Sequence, residues 1–104
     1  MTLNVNSGGV ITLQEARDLI SAFKTRFPNE IKAQFLGAAN IRLILDQNDC
    51  IGIRVYNGYD IKESRLSSVF VGVDSTGKDI TNGIIMDRTV PCPAACDPTS
   101  SLMQ

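Results

Sequence analysis

Few residues in this chain are equipped for chemistry. The sharpest pattern is Gly72-Val73-Asp74-Ser75-Thr76-Gly77-Lys78-Asp79, which satisfies the G-x-x-x-x-G-K opening of a phosphate-binding loop. Such a loop needs a Ser or Thr next, to hold magnesium, and then a helix whose N-terminus faces the phosphates. Here Asp79 puts a carboxylate where phosphate charge would sit, and Ile80-Thr81-Asn82-Gly83 continues as turn. A plain hairpin turn is the expectation. Cys92-Pro93-Ala94-Ala95-Cys96 offers a second possibility, with Cys50 as the only other thiol. A separation of four in a turn brings two Cα atoms within the roughly 4.4–6.8 Å that a disulfide requires. Redox motifs use C-x-x-C at a helix start, one residue shorter than this spacing. Reduced structural cysteines lead, ahead of a local disulfide or thiol function, with metal binding last.

The other groups point away from catalysis. No histidine is present, which removes Ser-His-Asp and Cys-His catalysis and the usual histidine-containing zinc sites. Asp46 with Asp49, Asp60 with Glu63, and Asp74 with Asp79 all fall in turn-like segments where solvated carboxylates are ordinary. Tyr56 and Tyr59 flank Asn57-Gly58, as a contact patch or as cover for a sheet edge. No catalytic residue, metal site or cofactor is expected. Ten basic and eleven acidic residues are interspersed, giving a net charge of −1. Without a cationic stripe, nucleic-acid binding is not expected. No stretch approaches the roughly 20 apolar residues of a membrane span. The first residues lack a secretory signal pattern, so the cytoplasm is the default location, with room left for non-classical export or association with a particle.

The elements that must position these residues read as follows. Residues 1–10 are polar and contain Ser7-Gly8-Gly9, which suits a flexible arm. Thr12 and Glu15 form a capping box, and Leu13, Ala16, Leu19, Ile20, Phe23 and Phe27 recur at helical spacing until Pro28. A helix over about 12–27 follows. Ile31, Ala33 and Phe35 alternate with polar residues as a short strand ending near Gly37. Residues 38–47 fit helix or strand; Ala38-Ala39 and the polar stop at Asp46–Asp49 favour a short helix. Ile51, Ile53 and Val55 alternate as a strand, a second strand spans about 66–73, and a third lies at 83–88 around Ile84, Ile85 and Met86. Closely spaced strands of this kind pair as an antiparallel meander.

Composition changes after Thr89. Pro91, Pro93 and Pro98 fall in the last fifteen residues with Cys92 and Cys96, and no Lys or Arg follows Arg88. Proline fixes φ and removes a donor, so this tail suits neither a central strand nor a regular helix. In a polyproline-II form, at about 3.1 Å per residue, it reaches roughly 45 Å. Three stretches together resemble a group of small uncharacterised bacterial proteins. They are Gly52-Ile53-Arg54-Val55-Tyr56 with Gly58-Tyr59, Val71-Gly72-Val73-Asp74 with Gly77-Lys78-Asp79, and Pro91-Cys92-Pro93 with Cys96-Asp97. The resemblance covers roughly the C-terminal half and implies domain integrity and a shared tail, not a reaction. Ser100-Ser101-Leu102 departs from the Ser-Pro-Leu ending of that group.

The expected fold is α+β. One or two amphipathic helices pack on a three- to four-stranded, mainly antiparallel sheet. The expected divisions are an arm at 1–10, a domain at 11–89 and an extended tail at 90–104. The expected function is a non-enzymatic structural or docking protein, self-associating as a homo-oligomer or higher-order assembly, or binding other chains through its tail or a sheet edge. Tyr56, Tyr59, Phe70, Pro91, Pro93, Pro98, Leu102 and Met103 are its candidate interface residues. The alternative is a small thiol or disulfide module using Cys92 and Cys96, with Cys50 as a possible third thiol.

Overall fold

The computed structural model describes residues 2–103. In chain order its elements are helix α1 (Leu13–Arg26), strand β1 (Ala33–Phe35), helix α2 (Ala38–Leu45), and strands β2 (Cys50–Tyr56), β3 (Tyr59–Asp60), β4 (Arg65–Leu66), β5 (Val69–Asp74), β6 (Ile85–Met86) and β7 (Val90–Cys92). A 3₁₀ turn at Ser101–Met103 closes the chain of elements. The fold is α+β, with every strand pair antiparallel. The chain divides into two compact units. One holds the residues up to Ser7 together with Leu36–Thr89; the other holds Gly8–Phe35 and the residues from Val90 onward.

The first unit is built on a three-stranded sheet in the order β2-β5-β6, with β3 and β4 as a separate two-stranded ribbon. Strand β5 is central because its sequence can be buried on both faces: Val71 and Val73 point one way and Gly72 the other, and all three are buried. Helix α2 packs on β2 and β5 and contributes Ile44, which is fully buried. Of the two readings of residues 38–47, the helix is the one adopted. The polar stretch before Arg65 does more than turn. The Asp60 carboxylate accepts the Glu63 N–H at 3.0 Å and closes the short β3–β4 ribbon. Residues 2–7, expected as a flexible arm, form a turn: the Ser7 N–H donates to the Asn4 carbonyl, and the Asn4 N–H donates to Ser7 Oγ, each at 3.0 Å. Leu3, Asn4, Val5 and Ser7 stand beside Ile51–Arg54 across an open hollow of about 210 Å³.

In the second unit α1 starts where the capping box placed it. The Glu15 N–H donates to Thr12 Oγ1 at 3.0 Å, satisfying one donor that the first turn cannot pair internally. Phe23 and Phe27 pack one turn apart, with ring centroids 5.1 Å apart and the rings tilted by 42°. The helix packs against the 3₁₀ turn at Ser101–Met103. There the Lys24 ammonium donates to the Met103 carbonyl at 3.0 Å.

The segment from Val90, expected to extend away as a tail, instead returns to this unit. Its first three residues form β7, with Ala33 opposite Cys92, Gln34 opposite Pro91 and Phe35 opposite Val90. Proline bars a strand from a sheet interior, yet a two-stranded ribbon consists only of edges, so the missing Pro91 donor can face outward. The Lys32 N–H adds a bond to the Cys92 carbonyl at 2.7 Å.

Candidate functional site

The stretch that mimics a phosphate loop is a hairpin turn, and its donors are already occupied. The Asp74 N–H donates to the Lys78 carbonyl and the Gly77 N–H to the Asp74 carbonyl, both at 2.9 Å. Gly77 sits at φ +87°, a conformation that glycine adopts without steric cost. Asp74 Oδ1 then accepts the Thr76 N–H at 2.9 Å, the Thr76 hydroxyl at 2.6 Å and the Lys78 N–H at 3.1 Å. The Thr76 hydroxyl and the Lys78 and Thr76 backbone donors hold the Asp74 carboxyl below its ordinary pKa. The backbone N–H groups that would cradle a phosphate therefore hold the protein's own carboxylate.

Asp79, the residue that spoils the motif, belongs to a different cluster. It lies beyond β5 from β2, bridged to Val73. Arg54 and Tyr56 sit two apart on β2, so they share one face of the sheet. The Arg54 guanidinium donates to Asp79 Oδ1 at 2.5 Å, and the Tyr56 hydroxyl donates to Asp79 Oδ2. The hydrogen bond from Tyr56, with that from Arg54 behind it, lowers the pKa of Asp79. The Tyr56 phenol and the Arg54 guanidinium are both raised, chiefly by their hydrogen bonds to Asp79. This trio ties the 74–79 turn across the sheet to β2. Sequence reading passed over it, although an arginine and a tyrosine at strand spacing, with an acid after a turn, are its visible trace.

A second overlooked residue is Gln47, just past α2. Its amide donates to the Ile44 carbonyl at 2.9 Å, and its carbonyl accepts the Ile84 N–H at 2.8 Å. Two glycines make room for it. A Cβ at Gly83 would lie 2.1 Å from Gln47 Oε1, and one at Gly72 would lie 2.9 Å from Gln47 Nε2.

Cys92 and Cys96 are joined by a disulfide, with Cα atoms 4.8 Å apart. Of the three readings open for this pair, the structure adopts the disulfide. Cys92 is buried and Cys96 half-buried. Met103 Sδ lies 3.8 Å from Cys92 Sγ, a packing contact, because a disulfide sulfur carries no hydrogen to donate. Cys50 is a free, half-buried thiol whose Sγ donates to the Gly52 carbonyl at 3.3 Å.

The candidate interface residues fall into both units. Tyr56 and Tyr59 are exposed in the sheet unit, whereas Phe70 is half-buried between Val55 and Met86 in the sheet register. In the other unit Pro91 and Met103 are half-buried, and Pro93, Pro98 and Leu102 are exposed. Among the described residues no group of three or more His, Cys, Asp or Glu side chains is placed to hold a metal ion. No helix among them is long and apolar enough to cross a membrane. No protein family, curated protein or solved structure matches the chain.

Proposed function

We propose that this chain is a non-enzymatic docking protein that acts through contacts with copies of itself or with other chains. The observation that carries the reading is the open side of β2. Among the described residues the order β2-β5-β6 gives this seven-residue strand one neighbour only, and an unpaired strand edge is a template for another strand. Apolar side chains surround its far end: Val55 is 50% exposed, and Tyr56, Tyr59 and Ile61 are exposed as well. The C-terminal segment supports this reading less than the sheet edge does, because β7 already has a partner strand in β1.

Sedimentation velocity over a range of concentrations, with binding of a hydrophobic fluorescent dye measured in parallel, tests the proposal. Species heavier than the 11.3 kDa monomer support it, as does a monomer that enhances the dye's fluorescence. A chain that stays monomeric throughout and leaves the dye unchanged overturns it.

The Cys92–Cys96 disulfide favours a second reading, a thiol–disulfide module. That reading expects dithiothreitol to reduce the pair under native conditions and glutathione disulfide to restore it, followed by alkylation and mass spectrometry. A disulfide that opens only after denaturation counts against it.

A further inference from the structure

The unit that contains α1 is poor in core. Among the described residues Cys92 is its one buried side chain, at 2% exposure, and α1 itself buries none. Chains of about 40 residues or fewer usually need a disulfide, a metal or a partner to hold a fold. Gly8–Phe35 with the residues from Val90 onward make a unit close to that size. Its buried side chain is also half of its disulfide, so packing and covalent closure fall on the same residue.

The contacts around Cys92 connect the parts of this unit. Its carbonyl accepts the Lys32 N–H at 2.7 Å, next to β1. Its Sγ lies 3.8 Å from Met103 Sδ, and the Met103 carbonyl accepts from Lys24 of α1 at 3.0 Å. Between them the Ala95 N–H donates to the Pro91 carbonyl at 3.0 Å, and Asp97 Oδ1 accepts the Thr99 N–H and hydroxyl at 3.0 and 2.6 Å. The chain thus leaves the disulfide at Cys96 and comes back to it at Met103. The two sulfurs are not equally open. Cys92 is buried, whereas Cys96 is half-buried and follows three exposed residues, Pro93, Ala94 and Ala95. Thiol–disulfide exchange depends on access to the sulfur that is attacked.

Resting on the thiol–disulfide reading, we infer that the Cys92–Cys96 bridge is a redox switch for the folding of the α1 unit, opened at Cys96 by a dithiol reductant. A thiolate of the reductant bonds to Cys96 Sγ. The S–S bond breaks, and Cys92 leaves with its electron pair and takes up a proton. The second thiol of the reductant then attacks its own bonded sulfur, which releases Cys96 as a thiol and the reductant as a disulfide. The protein pair gains two electrons and two protons, and the dithiol loses them. Bridging residues four apart closes a short loop, worth about thirtyfold in the folded population through loop-closure entropy. In a unit with one buried side chain that factor decides between a closed state and one that opens readily. The sheet unit rests on Ile44, Val71 and Val73 instead, and its cysteine, Cys50, is free.

Hydrogen exchange of the full chain, followed by mass spectrometry, reads the switch. Dithiothreitol under native conditions should speed exchange at the slow amides of α1 and at Ala33 by about thirtyfold and leave β2 and β5 unchanged. Glutathione disulfide should restore the original rates. Cys96→Ser opens the bridge, keeps the buried Cys92 and should match the reduced chain. Intermediates formed with glutathione and quenched in acid should carry it on Cys96; glutathione on Cys92 overturns the order of attack. A pair that opens while exchange in α1 changes by less than about threefold overturns the switch and leaves the thiol–disulfide reading standing. Equal loss of protection in both units overturns it as well, because the bridge then supports the whole chain. A pair that resists dithiothreitol until the chain is denatured overturns the reading and the switch together.

Discussion

Asp79 shows how one side chain can reverse the meaning of a motif. In Gly77-Lys78-Asp79 it ends the resemblance to a phosphate loop, and in the fold it is the acceptor that Arg54 and Tyr56 share. The tyrosine reports on this arrangement. In a Tyr59→Phe background, ultraviolet titration should place Tyr56 above its ordinary value of 10.0, and Asp79→Asn should bring it back toward that value. A Tyr56 titration that Asp79→Asn leaves in place would count against the trio. The signs follow for stability. Because the Tyr56 pKa is raised on folding, its contribution is complete below 10.0 and is lost as pH rises through the folded value. The carboxyls of Asp74, Asp79 and Asp97 are lowered, the last by the Thr99 hydroxyl and N–H. Their contribution is present above 3.8 and is lost only as pH falls through their lower folded values. Acid unfolding followed by circular dichroism should therefore set in below 3.8 where these groups dominate, and Asp79→Asn should reduce the dependence on pH there. Two of the trio were legible: a period of two puts Arg54 and Tyr56 on one face. Asp79 was not, because its distance from them depends on β5 lying between and on how tightly the 74–78 turn closes.

Among the elements, those written in local periodicity are readable and those made by return of the chain are not. The α1 boundaries follow from Thr12, Glu15 and Pro28, each of which acts within one turn of its own position. The β3–β4 ribbon escapes notice because two residues per strand carry no alternation. The β7 strand escapes because proline in a strand argues against a sheet, and nothing nearby shows that the partner would be a lone three-residue strand. Gln47 illustrates the energetics of such returns. Gly83→Ala would drive a Cβ into Gln47 and displace its bond to Ile84; a loss of about 1–3 kcal/mol is expected in urea unfolding, as for a buried polar group left unpaired. Gly52→Ala meets open space and should stay within about 0.5 kcal/mol of the parent. Equal losses for the two would sink this account of Gln47. Replacing Cys92 and Cys96 together by serine opens a short loop and should cost about 2 kcal/mol by the same measurement.

The whole molecule keeps its average composition while distributing it unevenly. Among the described residues the buried apolar ones are Ile44, Val71, Val73 and Cys92, a small set, and all but Cys92 belong to the sheet unit. Helix α1 carries a readable apolar stripe yet has no buried residue, with Leu13 57% and Leu19 67% exposed. A stripe in the sequence thus foretold a helix without foretelling its burial, because burial needs a partner surface that periodicity cannot name. Removing residues 90–104 takes away β7 and the 3₁₀ turn against α1 together. The expected result is loss of slow hydrogen exchange at Ala33–Phe35 and reduced helicity. The amides concerned are those of Ala33 and Phe35, because Gln34, opposite Pro91, turns its own outward; unchanged protection at these two would mean that β1 does not depend on β7.

The β1–β7 ribbon also bears on how this chain is made. Ala33 leaves the ribosome about sixty residues before its mate Cys92, whereas the strands of the β2-β5-β6 sheet follow one another within a single stretch. Throughout that interval the nascent β1 has two unsatisfied sides. The ribbon that fixes β1 therefore closes only after Val90–Cys92 has been made, which places this pairing last among the strand pairs in order of synthesis.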